Sequence, residues 1–297
     1  MVFNKNFSTP LRYPGGKSRI SSFLEDIILL NNLEGCNLYE LYAGGAGASI
    51  NLLFSGLCNK VVLNDLDKHI YSFWWSVING TESLIRLIND SEVTIDNWNS
   101  QKYIYDNHKE FSNLEIGFST FFLNRTNRSG ILYKAGPIGG MKQTGNYKMD
   151  VRFNKGELIS RIIKIAKFSS SLEIHNKESF TFLKYIVKRK KKKFIFLDPP
   201  YYNQGENLYL NFYTDNDHFK LSKLLQDNQN TNWLLTYDNC DRIIELYRKT
   251  RKAYLPMTYT LQSKKKDKEI MMVSNSLFLP KQLKIGSHSS LLNLLPV

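Results

Sequence analysis

The segment Phe194-Ile195-Phe196-Leu197-Asp198-Pro199-Pro200-Tyr201 constrains the fold more than any other stretch of the chain. Four consecutive apolar residues predict a strand buried on both faces, as in a parallel sheet. Two prolines then forbid its continuation, because each fixes φ and lacks an N–H. Asp198 is thereby delivered to the carboxyl end of a strand, the edge at which α/β sheets bind ligands.

The same rhythm opens the chain. Leu38 to Tyr42 predicts a strand that runs into Gly44, Gly45 and Gly47, and a helix follows to about Phe54. A second strand, Val61 to Leu63, ends at Asn64 and Asp65, and a helix covers about Lys68 to Ile78. The glycines let the backbone approach a ligand closely. Asp65 falls 21 residues after Gly44, where a carboxylate can hold ribose hydroxyls. On these features alone NAD, FAD and S-adenosylmethionine all remain open.

From about Thr81 to Phe168 the pattern turns mostly helical and includes a polar, glycine-rich loop, Thr126 to Tyr147. Strands then return at Leu172–His175, Phe194–Leu197 and Trp233–Thr236. Between and after them come helices at Phe180–Val187, Asp215–Leu225 (with Asp215 as its cap) and Arg242–Tyr247. Two last strands, Tyr254–Leu261 and Ile270–Ser274, predict a closing hairpin. The expected architecture is α/β and Rossmann-like, a mostly parallel sheet with a terminal antiparallel hairpin. Residues 1–78 and 171–297 form its catalytic domain, and residues 79–170 form a mainly helical insertion.

Asp198 and the Pro199 carbonyl make a stiff pair of acceptors, with the Tyr201 ring beside them. An exocyclic amino group needs such a pair. Its nitrogen lone pair is delocalised into the ring, and two acceptors on its N–H bonds expose that lone pair and stabilise the charge developing on methyl transfer. A base reaching these groups must leave its stack, and an aromatic ring offsets that loss.

With these motifs the chain resembles the Dam-type, alpha-arrangement family of adenine-specific DNA methyltransferases. The family's opening motif stands here as Tyr13-Pro14-Gly15-Gly16-Lys17, and its glycine motif as Glu40-Leu41-Tyr42-Ala43-Gly44-Gly45-Ala46-Gly47. Its catalytic motif is Asp198-Pro199-Pro200-Tyr201, and Phe121 to Arg125 resembles a segment of its recognition insertion. The resemblance implies a Rossmann-like S-adenosylmethionine-dependent methyltransferase fold. It implies S-adenosyl-L-methionine at Tyr13, Lys17, Tyr42, Gly44, Gly45, Gly47, Asp65 and Asp198, and methylation of a flipped adenine at Asp198, Pro199, Pro200 and Tyr201. Tyr42 replaces the family's usual Phe, Leu41 its Pro, and Ala46 a glycine that here follows one place later. Another planar amino group (an RNA base, a DNA cytosine or a protein glutamine) and a silent DNA-binding regulator are the alternatives.

Charge fits a polyanionic partner: Lys and Arg outnumber Asp and Glu by 40 to 27, for a net +13. Double-stranded DNA is the expected partner, contacted by Arg125, Arg128, Lys142 and Gln143 of the insertion and by Lys264, Lys265 and Lys266 at the hairpin tip. The run Lys188 to Lys193 lies at the amino end of its strand, away from the chemistry, and reads as a solvated turn. Three scattered cysteines suggest neither a disulfide framework nor a metal site. No apolar run approaches the length of a membrane span, so a cytoplasmic location is expected; a monomer is the expected state. Whether it works beside a cognate restriction endonuclease, in a defence system or alone is open in the sequence, as is the docking of the apolar tail Leu291 to Val297.

Overall fold

The computed structural model describes residues 8–13, 15–203, 213–256 and 268–296. The strands β1 (Cys36–Glu40), β2 (Cys58–Asn64), β3 (Leu172–His175), β4 (Lys193–Leu197), β5 (Trp233–Asp238), β6 (Arg251–Pro256) and β7 (Lys268–Val273) make one sheet in the order β3-β2-β1-β4-β5-β7-β6. Neighbours from β3 to β5 are parallel. β7 is antiparallel to both β5 and β6. The chain builds outward from β1 to β3, returns to β4 beside β1, and then builds the other way. The reversal leaves a cleft beyond the carboxyl ends of β1 and β4.

Side chains alternate across the sheet, as a period of two demands. Leu38, Phe194, Phe196 and Leu234 join one core, whereas Tyr39, Ile195, Leu197, Trp233 and Leu235 join another on the opposite face. Helices α1 (Ser21–Leu30), α2 (Gly47–Phe54) and α3 (Lys68–Asn79) cover the first face. Helices α8 (Ser179–Val187), α9 (Asp215–Gln226) and α10 (Asp241–Leu246) cover the second.

Between α3 and β3 lie α4 (Thr81–Asp90), α5 (Ile95–Asp106), α6 (Asn113–Thr126) and α7 (Lys155–Ala166). They have no separate core: Phe121, Phe122 and Leu158 belong to the same cluster as Phe73 and Trp74 of α3. Helices α3 and α6 touch through small residues. A Cβ on Gly117 would stand 2.3 Å from the Ser76 hydroxyl and 2.5 Å from the Ser72 carbonyl oxygen, so the two backbones approach closely only because Gly117 has none.

Some sequence expectations need correction. β1 ends at Glu40 rather than Tyr42, so Leu41 and Tyr42 belong to the glycine turn. The cap of α9 is Thr214, whose hydroxyl accepts the Asp217 N–H while Asp217 accepts the Thr214 N–H; Asp215 is instead the first helical residue. The two predicted final strands are followed by a further hairpin, β8 (Gln282–Ile285) with β9 (His288–Leu291). The apolar tail docks on the edge of the main sheet: Leu294 bridges Ala253 of β6, and the Leu295 N–H donates to the Lys252 carbonyl. Lys264, Lys265 and Lys266 fall outside the described residues, as does the outer half of the strand predicted to reach Leu261. The three cysteines are free. No helix among the described residues is long and apolar enough to cross a membrane.

Candidate active site

The turn after β1 brings the backbone against an aromatic ring. Gly44 has φ +45°, and a Cβ there would lie 2.7 Å from the Tyr13 ring; a Cβ on Gly45 would lie 2.9 Å from Tyr13 Cβ. Tyr13 can lie flat on the turn only because both positions lack side chains. Ala46, also left-handed at φ 46°, is the N-cap residue just before α2. The turn is pinned from behind, where the Trp74 indole donates to the Gly44 carbonyl at 2.9 Å. Asp65, just beyond β2, accepts the Gly44 N–H at 2.8 Å and the Asp67 N–H at 2.9 Å.

The residues just before Tyr13 are held in place by the insertion. The Asn124 amide accepts the Arg12 N–H at 2.7 Å and donates to the Arg12 carbonyl at 2.7 Å. Arg125 is buried and donates to the carbonyls of Arg152 (2.8 Å) and Pro10 (3.4 Å). Burial, followed by the charges of Arg12 and Arg161, pushes its guanidinium below the ordinary value. Arg161 donates to the Thr9 carbonyl. Three side chains of the insertion thus clasp residues 9 to 12.

Lys17 is almost fully buried and is shared. Its ammonium donates to the Gly15 carbonyl (2.7 Å), Asp198 Oδ2 (2.8 Å) and the Tyr201 hydroxyl (3.0 Å), and lies 3.3 Å from Glu269 Oε1. Tyr201 in turn donates to Glu269, and Thr236 of β5 donates to Asp198 Oδ1 at 2.6 Å. Four segments far apart in sequence meet here: the opening motif, the end of β4, β5, and the first residues of β7. Tyr201 was expected to present its ring; its hydroxyl also turns inward as a bridge.

One pocket gathers most of these groups. Tyr13, Lys17, Tyr42, Gly45, Gly47, Asp65, Asp198 and Pro200 line it, with Ala43 and Ala46 of the turn and Gly130 to Tyr133 of the insertion. Gly44 stands behind the lining, its N–H already taken by Asp65. Among the described residues the pocket's lining holds four carboxyl groups, Glu40, Asp65, Asp67 and Asp198, and one ammonium, Lys17. Burial pushes Glu40 up to about 8 and Asp65 up to about 7. Glu40 Oε2 is buried without a hydrogen-bond partner. Tyr42 closes the far wall with its hydroxyl 2.7 Å from that of Tyr213.

Of the four insertion residues expected at DNA, Arg128 and Lys142 are exposed and line an open groove with Met141 and Tyr147. Arg125 and Gln143 are part of the scaffold. Gln143 donates to the Ile138 and Gly140 carbonyls at 2.8 and 2.6 Å and accepts the Met149 N–H at 3.0 Å. Glu269 and Asn124 are the residues that sequence reasoning missed. His218 is buried at the back, its Nδ1 2.7 Å from the Tyr237 hydroxyl.

This strand order, with a glycine turn after β1 and an acceptor motif after β4, places the protein in the α/β methyltransferase class. The chain belongs to the D12 class N6 adenine-specific DNA methyltransferase family, whose family model matches residues 13–263. It is a DNA adenine methyltransferase. Comparison with curated proteins gave no match.

Proposed function

We propose that the pocket takes S-adenosylmethionine and that Asp198, Pro199 and Tyr201 receive an adenine turned out of the duplex. The observation that carries this reading is the lining of the pocket. Among the described residues four carboxyl groups stand against one ammonium, and Glu40, which burial pushes up to about 8, keeps an unpartnered oxygen that a cationic ligand would ionise and pair. Such a lining suits a ligand bearing a sulfonium and an ammonium. It disfavours the pyrophosphate of NAD or FAD, which a glycine turn alone would admit. Asp65 offers its carboxylate to ribose hydroxyls, and the Tyr13 ring on Gly44 and Gly45 forms a flat wall.

S-adenosylmethionine, when bound, supplies an activated methyl group. The protein's own groups orient the acceptor. Asp198 and the Pro199 carbonyl hold the two amino hydrogens, Lys17 and Thr236 fix the Asp198 carboxylate, and Pro200 stiffens the pair. Residues 79–170 are proposed as the recognition insertion. Its groove at Arg128 and Lys142 is proposed to contact phosphates or base edges, and the sequence segment Lys264 to Lys266 is proposed to contact DNA as well. The cytoplasm is the proposed compartment and the monomer the proposed state. A cognate endonuclease or defence-system partner is compatible with this reading.

The test is incorporation of labelled methyl from S-adenosylmethionine into adenine of duplex DNA, with Asp198→Ala alongside. Wild type is expected to label adenine and the variant to fall by at least about a hundredfold. Equal labelling by both would overturn the assignment.

A further inference from the structure

Methyl transfer leaves a proton to be disposed of. The amino nitrogen forms a bond to carbon and must break one N–H bond, keeping that electron pair, while the donor's C–S bond breaks and its sulfur becomes neutral. Lys17 and Glu269, beside the reacting groups, are enclosed, and a charge left unpaired there is costly. The cluster around Lys17 has a composition suited to this problem.

We propose that Glu269 holds the displaced proton, reached from Asp198 through the Tyr201 hydroxyl. The inference rests on the adenine-methylating reading of the site. Asp198 takes the proton from the amino group. The Tyr201 oxygen lies 3.4 Å from Asp198 Oδ1, and its hydroxyl donates to Glu269 Oε1. A proton passed to the Tyr201 oxygen therefore releases the phenol's own proton to Glu269, and Asp198 returns to its ionised form. Glu269 is 1% exposed, and its Oε2 is without a hydrogen-bond partner, so one of its oxygens is uncommitted.

Charge stays constant along this route. Lys17, Asp198 and Glu269 together carry one negative charge, which balances a sulfonium. When the sulfonium becomes a thioether, the proton on Glu269 brings the cluster to neutrality. No step creates a net charge inside the pocket. Burial, opposed by Lys17 and assisted by Asp198, pushes Glu269 up to about 7, so it can both accept and release a proton near neutral pH. The charged and titratable groups facing it among the described residues are Lys17, Asp198 and Tyr201. Asp238 is its register partner on β5, and the partner on β6 is the apolar Leu255.

The experiment compares wild type with Glu269→Gln in single-turnover methylation of duplex DNA between pH 6 and 9. The acceptor must be ionised, so the wild-type rate is expected to rise as pH increases through about 7. The variant keeps the shape and an acceptor for Tyr201. It is expected to react at least about tenfold more slowly at pH 8 and to lose that rise. A variant that retains the wild-type pH profile, at whatever level, overturns the proposal and leaves Glu269 as a positioning residue. Should Glu269→Gln fail to fold, Tyr201→Phe carries the test, since it removes the bridge and spares the acid; a retained profile there also overturns it.

Proton counting by calorimetry gives a readout apart from turnover. At pH 7 the wild type is expected to take up as much as about one proton more on binding S-adenosylhomocysteine than on binding S-adenosylmethionine, and Glu269→Gln to show no difference. Equal counts in the wild type overturn the proposal. A wild type that binds the donor yet labels no adenine defeats the functional reading instead.

Discussion

Asn124 grips Arg12 with both ends of its amide, accepting the Arg12 N–H and donating to the Arg12 carbonyl, each at 2.7 Å. The same Nδ2 also donates to the Gly130 carbonyl at 2.8 Å. A helix of the insertion thereby determines where Tyr13 lies on the glycine turn. Replacing Asn124 by Ala removes these bonds and strands buried backbone groups, at a cost of about 1–3 kcal/mol. The expected result is a rise of roughly ten- to a hundredfold in the dissociation constant for S-adenosylmethionine, measured by calorimetry. An unchanged constant would show that the clasp is irrelevant to the pocket.

Gly44→Ala places a methyl group 2.7 Å from the Tyr13 ring at a left-handed φ of +45°. Tyr13 must move off the turn. Affinity for S-adenosylmethionine is expected to drop by about tenfold or more, while DNA binding in gel-shift titration stays near wild type. Equal losses in both would point to unfolding, which circular dichroism would reveal.

Lys17→Met leaves Asp198 and Glu269 facing each other without their shared cation. Breaking a buried pair in this way costs about 3–5 kcal/mol. Thermal melting should show the loss, and methyl transfer should fall below detection. A variant as stable and active as wild type would contradict the cluster's role.

Burial holds Glu40 at about 8, up from the ordinary 4.5, so between those two values the folded chain binds more protons than the unfolded one. The contribution of Glu40 to stability therefore falls as pH rises through that window. Glu40→Gln removes the penalty. It is expected to raise the melting temperature of the ligand-free protein at pH 8 by roughly 5 °C, and to change it little at pH 5. No gain at pH 8 would mean that Glu40 is not held protonated by its surroundings.

Arg128→Ala and Lys142→Ala alter an exposed groove rather than the scaffold. Each is expected to weaken DNA binding and to lower the salt dependence of the affinity by about one unit in slope, with an unchanged melting temperature. Arg125→Ala should do the reverse, lowering the melting temperature through its lost carbonyl partners.

The parts of the site legible in the sequence are those written in a single short stretch. Apolar residues followed by Asp-Pro-Pro, and a glycine turn followed by Asp65, are local patterns whose sterics permit few backbones. Glu269 was not legible, because it follows a lysine-rich run and looks like one more surface charge. Its one local sign is its place beside Ile270, Met271, Met272 and Val273, a strand buried on both faces, where an acid without a partner would be costly. Arg125 misled for the opposite reason. A cation late in a helix looks exposed, whereas α6 is buried nearly all round, with Asn124 and Thr126 also fully enclosed. For α9 the spacing Thr214-x-x-Asp217 carried a capping box that a reading of Asp215 alone overlooked. The last hairpin is short, and β9 is exposed along its whole length, so no apolar alternation announces it.

The contact of Gly117 with Ser72 and Ser76 limits how this enzyme can change its target. Helix α6 is seated against α3 too tightly to be exchanged without that counterpart, and it carries the clasp on Pro10 and Arg12. On the proposed reading, a graft intended to alter sequence preference must therefore stop short of that helix and confine itself to the outer loop around Arg128 and Lys142. On that same reading, shuffling larger blocks between relatives would damage methyl-donor binding before it redirected the choice of DNA site.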